Sequence, residues 1–132
     1  MATWIQFLLC FNIALCLLSV GAIDDQEQHL PIVQVINSLP PNSQTLQVSC
    51  DTENIDLGEH TLSVGQVYEW KVEKKSIYYC AAQWKLYFAS WHAFELPRDE
   101  NREMVYWAVR KDGFYLSWDK TKWVRNSTWE TE

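Results

Sequence analysis

The feature that most constrains the fold of this chain is a two-residue alternation of apolar and polar side chains, which recurs in short runs. Leu62 and Val64 alternate with polar neighbours, and a turn follows at Gly65. Tyr68 and Trp70 then resume the alternation. A period of two residues is that of a β-strand with one buried face and one exposed face. The segment therefore predicts a β-hairpin with one face in water.

Similar runs, separated by turn residues, extend along most of the chain. Pro40-Pro41 predicts a turn, and Asp112-Gly113 is the strongest hairpin signal. A bulge is expected near Ser90. No segment shows a sustained apolar period of 3.6 residues, so helix content should be small. We predict an all-β fold, a single-domain antiparallel β-sandwich, with further strands near residues 32–39, 45–50, 77–82, 84–96, 104–110, 113–118 and 122–129.

The first 22 residues differ in composition from the rest. An apolar run covers residues 4–20, and the small residues Gly21 and Ala22 follow it. This pattern predicts a signal peptide at residues 1–22 and a mature domain at residues 23–132. The alternative is an uncleaved anchor, but the run is shorter than the ~20 residues of a membrane-spanning helix. We expect a secreted protein whose mature chain does not insert into a membrane.

Size and charge limit the expected partners. The mature part has about 110 residues, which suits one domain and, we expect, a monomer. The chain carries 17 acidic and 11 basic residues, for a formal net charge of −6. Such a balance disfavours a surface for phosphate backbones, so nucleic acid is not an expected partner. The basic residues Lys120, Lys122 and Arg125 are interpreted as part of a solvated loop.

Cysteine usage depends on the leader. Cys10 and Cys16 would leave with it, whereas Cys50 and Cys80 would remain. In an oxidising compartment two thiols in a small domain usually pair, so we expect a disulfide between them.

Several short motifs follow one another in a defined order: Val33-x-Val35-x-Asn37-x-Leu39, Leu46-x-Val48-x-Cys50, Asp56-Leu57-Gly58, Trp70, Cys80 and Trp107-x-Val109-x-x-Asp112-Gly113-x-Tyr115. Together they resemble the plant self-incompatibility protein family, the S-protein homologues, over residues 32–129. The resemblance implies a β-sandwich and a small secreted ligand. The best-known relatives are made by the pistil and recognised by a pollen membrane protein.

The chain departs from this family at one motif. Members typically carry a further Cys-x-x-Cys, and its cysteines would fall at Arg102 and Val105. If the family's bridges use those cysteines, Cys50 and Cys80 would be free buried thiols. The resemblance therefore leaves the pairing open.

Seven tryptophans follow the leader. Trp70, Trp84, Trp107 and Trp118 are expected to fill the space between the sheets, where aromatic side chains bury large areas. The alternative is that Trp91, Trp123 and Trp129 face outward as a stacking platform for sugar rings. That arrangement would make the protein a carbohydrate-binding module at the cell wall.

Asn126-Ser127-Thr128 is the one N-x-[ST] sequon of the chain. In a secreted protein it predicts a glycan on Asn126, at an exposed position on the last strand or its edge.

The sequence lacks the motifs of the common enzyme classes, so we expect no catalytic residues, no metal and no cofactor. A nucleophile elbow, a P-loop and a zinc-binding H-E-x-x-H are absent. The histidines are scattered, and His60 is expected on the polar face of its strand. Acidic pairs such as Glu53 with Asp56 are typical of solvated loops.

The remaining function class is recognition by loops on a rigid scaffold. The hypothesis is a secreted ligand of a membrane receptor protein on plant cells. Its contact residues are predicted in two polar, mixed-charge loops between strands, although each loop could also be a plain solvated connection. They are Arg98, Asp99, Glu100, Asn101 and Arg102 in one loop, and Glu53 and Asp56 in the other.

Overall fold

A computed structural model describes residues 30–73 and 76–131. The predicted signal peptide at residues 1–22 lies outside the described residues. The described chain forms strands and no helix, so it contains no helix long and apolar enough to cross a membrane. The strands are β1 (Ile32–Asn37), β2 (Leu46–Asp51), β3 (Asp56–Leu62), β4 (Val67–Lys71), β5 (Tyr78–Trp84), β6 (Tyr87–Phe94), β7 (Met104–Arg110), β8 (Gly113–Ser117) and β9 (Val124–Ser127).

The strands form two sheets that pack face to face. Sheet A has the order β4-β1-β7-β8-β9, and sheet B has the order β3-β2-β5-β6. The predicted all-β sandwich is confirmed. Every pair is antiparallel except β1 with β7. These two strands run parallel because the chain, after β5 and β6 of sheet B, re-enters sheet A at the end where β1 starts.

The core lies between the sheets and is built from one face of each strand. Alternation is strict in β2 and β5, where every second side chain is buried. Trp107, Tyr78, Phe94 and Phe114 are the largest fully buried side chains. Trp107 also links the sheets by a hydrogen bond, because its Nε1–H on β7 donates to the Ala93 carbonyl on β6 at 2.8 Å. A polar atom is thus satisfied inside an apolar layer.

The predicted hairpin between Leu62 and Trp70 is wrong in its pairing. β3 belongs to sheet B and β4 to sheet A, so residues 63–66 cross between sheets. Buried Asn37 fixes this crossing, since its Nδ2 donates to the Leu62 carbonyl at 3.0 Å. The backbone carbonyl of Asn37 accepts a hydrogen bond from the Gly65 N–H at 2.8 Å. The predicted alternation is present in both strands, because each strand buries one face in the same core. The two-residue period does not determine to which of the two sheets a strand belongs.

Cys50 and Cys80 form a disulfide between neighbouring strands. They lie directly opposite each other on β2 and β5, with their Cα atoms 4.1 Å apart. Both are buried. The bond closes a loop with a sequence separation of 30 residues, which corresponds to about 3.5–4 kcal/mol in the chain-entropy description.

The structure corrects the position of one predicted strand and its bulge, and it confirms one predicted hairpin turn. Residues 84–96 contain the last residue of β5 and the whole of β6, and the bulge expected near Ser90 lies three residues later, at Ala93. The hairpin at Asp112-Gly113 is confirmed, since Arg110 pairs with Gly113 across a turn of Lys111 and Asp112. Gly113 has φ +145°, and a Cβ there would lie 2.5 Å from the Ser127 carbonyl oxygen.

Candidate functional site

The two loops predicted to make contacts lie at the same end of the sandwich, which we call the lower end. β2 ends there at Asp51, β3 starts there, and β6 ends there before the β6–β7 loop. Four residues of sheet B face one another in register across this end: Asp56, Asp51, Tyr79 and His92. This set, the lower row, connects the β2–β3 loop with the β6–β7 loop.

The side chains of the lower row are exposed, and the two on β2 and β3 are acidic. Tyr79 is 45% exposed, and its ring meets that of His92 edge-on at 4.9 Å. His92 Nδ1 lies 2.7 Å from Glu95 Oε2. Asp51 and Asp56 are both exposed. The sequence predicted neither Tyr79 nor His92 as contact residues, although Tyr79 must face away from the core because the adjacent Cys80 is buried.

The β6–β7 loop is held by the carboxylate of Asp99, which is fully buried. It accepts hydrogen bonds from Trp118 Nε1–H at 3.0 Å and from the Glu95 backbone N–H at 3.0 Å. The guanidinium of Arg98 donates to the same carboxylate, with Nη2 2.6 Å from Oδ2. A buried carboxylate with this many donors is a structural anchor. The prediction that Asp99 contacts a receptor is therefore wrong.

The side chain of Arg98 also packs into the protein. Its guanidinium lies 5.2 Å from the centre of the Trp107 ring. It also donates to the His92 carbonyl at 2.9 Å. With 17% of its side chain exposed, Arg98 is mostly removed from contact with a partner. Arg102 lies over Trp118 at 4.2 Å and is exposed.

The β2–β3 loop is folded by its own side chains. Thr52 Oγ1 accepts the N–H groups of Asn54 and Ile55 at 3.2 and 3.0 Å. Asp56 Oδ1 accepts the Gly58 N–H at 2.8 Å. Glu53 is exposed at the tip. The exposed predicted residues at the lower end are thus Glu53, Asp56, Glu100, Asn101 and Arg102.

The sequence and fold can be compared with known proteins. A sequence model of the family described as plant self-incompatibility protein S1 matches residues 32–129. The chain belongs to this family.

Two curated members of the plant self-incompatibility family are similar to this chain, both from Arabidopsis thaliana. S-protein homolog 29 is 28% identical over 91 residues, covering 65% of this chain and 67% of the relative. S-protein homolog 5 is 27% identical over 73 residues, covering 52% of this chain and 57% of the relative. The chain therefore spans little more than half the length of the second relative.

One solved structure supports the fold. It contains SPH (self-incompatibility protein homologue) proteins, described as a widespread family of small, highly stable, secreted proteins from plants. It superposes with a TM-score of 0.63 at 16% identity, covering 77% of this chain and 96% of that one. At this identity the likeness demonstrates a shared fold alone.

The family motif residues have structural roles here. Gly58 adopts φ +83° where the β2–β3 register shifts, so Asp56-Leu57-Gly58 forms a bulge braced by the Asp56 carboxylate. Trp70 and Trp107 are buried, and Gly113 closes the β7–β8 hairpin. Asp112 accepts a hydrogen bond from the Tyr115 hydroxyl at 2.7 Å. At the family's missing Cys-x-x-Cys, Val105 is part of the apolar core and Arg102 covers Trp118.

His60 was expected on the polar face of its strand, and this expectation is wrong. It lies opposite the buried Val48 and stacks on Tyr68 of the other sheet, with ring centroids 3.7 Å apart. The pKa of Tyr68 is raised because burial disfavours its charged form. This stacked pair joins the edges of the two sheets.

The alternative to core packing, a stacking platform of Trp91, Trp123 and Trp129, is not formed. Trp91 is buried and packs on Phe114, with ring centroids 4.5 Å apart. Trp129 packs against the core and donates its Nε1–H to the Arg110 carbonyl at 2.8 Å. Trp70, Trp84 and Trp107 are buried and Trp118 is partly buried, as expected for core residues.

Asn126 is exposed on β9, the last strand of sheet A. Its position suits a glycan acceptor, and its occupancy stays a prediction. Across residues 30–73 and 76–131, no group of three or more His, Cys, Asp or Glu side chains converges to hold a metal ion.

Proposed function

We propose that this protein is a small secreted recognition ligand that binds a membrane receptor protein on plant cells through the lower end. Family membership supports an extracellular plant protein, and the apolar leader supports export. The solved SPH proteins, described as secreted, support the same location. The proposal treats the protein as a non-enzymatic monomer that needs no cofactor.

The observation that carries the proposal is the lower row. It joins two polar loops across strands that a disulfide links at Cys50 and Cys80. A preorganised surface loses little conformational entropy when a partner binds. Loops positioned by a rigid scaffold are the usual location of binding residues.

The charge of the lower row is a second support. Asp51 and Asp56 face each other on neighbouring strands, and like charges in this position destabilise a sheet. In the described part of the chain, neither carboxylate has a Lys, Arg or His within ion-pair distance. The Asp56 carboxylate braces the bulge at Gly58, whereas Asp51 places a second negative charge opposite it. A receptor surface with basic residues would match it.

The test is saturable binding of the labelled mature protein to plant protoplasts, which have no cell wall. Replacing Glu53→Lys and Glu100→Lys together reverses two exposed charges at the lower end. We expect binding to weaken at least about ten-fold, equivalent to roughly 1.4 kcal/mol. The double variant Glu69→Lys/Glu130→Lys has the same net charge but alters other surfaces, and we expect it to bind like the wild type.

Two results would contradict the proposal. One is equal weakening in both double variants, which would indicate a general charge effect. The other is unchanged binding after protease treatment of the protoplasts, which would exclude a protein receptor.

A further inference from the structure

The charge of this chain is unevenly distributed. Residues 102–125 contain six basic and three acidic residues, a net charge of +3, so the rest of the chain has a net charge of −9. At physiological salt the screening length is about 8 Å, so a bound partner senses the local charge more than the total. An acidic protein can therefore carry a surface for an anion.

These cations gather over aromatic rings on the outer side of sheet A. Arg110 lies over Tyr115 at 4.3 Å and beside Trp123 at 5.5 Å. Lys120 reaches back from the β8–β9 loop to lie over Tyr106 at 4.8 Å. We call Arg110, Lys120, Arg125, Tyr106, Tyr115 and Trp123 the cation–aromatic face.

Arg125 completes the arrangement across the strands. It pairs with Tyr115, which in turn pairs with Ala108 on β7, two residues before Arg110. The strands β7 and β9 are two strand spacings apart, roughly 9–10 Å. Arg110 therefore lies over the Tyr115 ring, and Arg125 is in register with the same tyrosine on the neighbouring strand.

The nearby carboxylates do not neutralise these cations by direct pairing. Asp112 accepts the Tyr115 hydroxyl at 2.7 Å. Asp119 Oδ1 accepts the backbone N–H groups of Thr121 and Lys122 at 2.8 and 3.0 Å. The ion pairs that join Glu95 with His92 and Arg98, and Arg98 with Asp99, lie outside this face. The charges of Arg110 and Arg125 help to lower the pKa of Asp112, but neither arginine forms a direct ion pair with it, so both can still bind an external anion.

We propose that the cation–aromatic face binds an acidic polysaccharide, a chain of uronic acid sugars. Its carboxylates pair with the guanidinium and ammonium groups, and its sugar rings pack against the tyrosine and tryptophan side chains. Arginine is suited to this role because its planar fork binds a carboxylate through two hydrogen bonds. This binding is independent of the receptor contact at the lower end.

The geometry favours a polysaccharide over an acidic peptide. β7 and β8 are interior strands whose backbone groups are already hydrogen-bonded within sheet A. A peptide lying across them would find no backbone partners, so its own amide groups would stay unpaired with the protein. A chain of sugar rings needs only side-chain contacts, which alternate here between charged and aromatic.

The test is binding of the folded mature protein to polygalacturonate at low salt, measured by calorimetry. A fully methyl-esterified polygalacturonate has the same backbone without charge and should not bind. Replacing Arg110→Gln and Arg125→Gln should weaken binding at least about ten-fold and flatten its salt dependence. Lys120→Gln, which removes the third cation of this face and leaves both arginines in place, should weaken binding in the same direction.

The control is Lys71→Gln/Lys85→Gln, which removes the same charge outside the cation–aromatic face and should change binding less than about two-fold. Equal loss in this control would overturn the proposal, as would no binding of the wild type at about 50 mM salt. Equal affinity for poly-L-glutamate would also overturn it, because the surface would then be one for acidic peptides. Protoplasts lack wall polysaccharide, so failure here leaves the receptor experiment unaffected.

Discussion

Asp99 illustrates how a single side chain can determine the shape of a contact loop without touching the partner. Its carboxylate joins the β6–β7 loop to Trp118 and to the Glu95 backbone, while Arg98 supplies the compensating charge. Removing one member of a buried pair leaves the other charge uncompensated. Side chains of this kind are sensitive to substitution even though they lie in a polar loop.

We predict that Asp99→Ala lowers the free energy of unfolding by about 3–5 kcal/mol, because it leaves Arg98 and Trp118 without their acceptor. Urea denaturation followed by tryptophan fluorescence measures the change. The neighbouring Glu100 is exposed, and Glu100→Ala should stay within about 0.5 kcal/mol of the wild type. Similar losses in the two variants would contradict the anchoring role.

Gly113 permits the second prediction at this scale. Gly113→Ala places a Cβ against the Ser127 carbonyl, 2.5 Å away. We expect a loss of about 2–4 kcal/mol from backbone strain plus the clash. Gly65 also has a positive φ, but a Cβ at this position would have no atom within 4 Å. Gly65→Ala should therefore lose only about 1 kcal/mol of stability. Thermal unfolding of both variants separates the cost of backbone strain from the cost of the clash. Equal losses of stability in the two variants would exclude the clash.

The third prediction concerns the Asp112–Tyr115 hydrogen bond. This bond lowers the pKa of Asp112 and raises the pKa of Tyr115 above 10. The tyrosine contribution to stability is therefore present below the ordinary tyrosine pKa and is lost as pH rises through the raised value. In Asp112→Asn the pKa of Tyr115 should fall back toward 10, since the charged acceptor is gone. Spectrophotometric titration against Tyr115→Phe measures it; an unchanged titration in Asp112→Asn would refute this cause.

At the scale of strands, the sheet assignment of β3 and β4 depends on contacts outside both. Asn37 on β1 bonds to the Leu62 carbonyl and to the turn that follows it. His60 on β3 stacks on Tyr68 on β4 from the opposite sheet. The two strands are therefore consecutive in sequence and joined by side chains, yet they share no backbone ladder. The disulfide has the opposite character, because it reinforces a ladder that already pairs β2 with β5.

We predict that the double variant Cys50→Ala/Cys80→Ala loses about 3–4 kcal/mol of stability, because the unfolded chain gains the entropy of an open loop. Chemical denaturation of the secreted protein, with and without reductant, measures the difference. The unreduced wild type should contain no reactive thiol after denaturation. Two reactive thiols, or a loss below about 1 kcal/mol, would contradict a stabilising disulfide.

At the scale of the whole molecule, the sandwich separates two surfaces of different charge. The lower row and the β2–β3 loop present carboxylates, whereas the outer side of sheet A presents cations on aromatic rings. The apolar core lies between these two surfaces, and within it the Trp107 indole N–H donates a hydrogen bond to the Ala93 carbonyl of the other sheet. A ligand with this polarity could bind a receptor at one surface and an anionic matrix at the other.

The sequence alone determined the all-β class, the β7–β8 hairpin and the family, because strand alternation and turn chemistry are local properties. Only the tertiary structure decided that β3 and β4 belong to different sheets, that Trp91 and His60 face inward, and that Asp99 is buried. A polar loop residue and an apolar strand residue acquire their surroundings from segments far away in the chain. Trp118 reaches Asp99 from 19 residues further along, and no local period records such a contact.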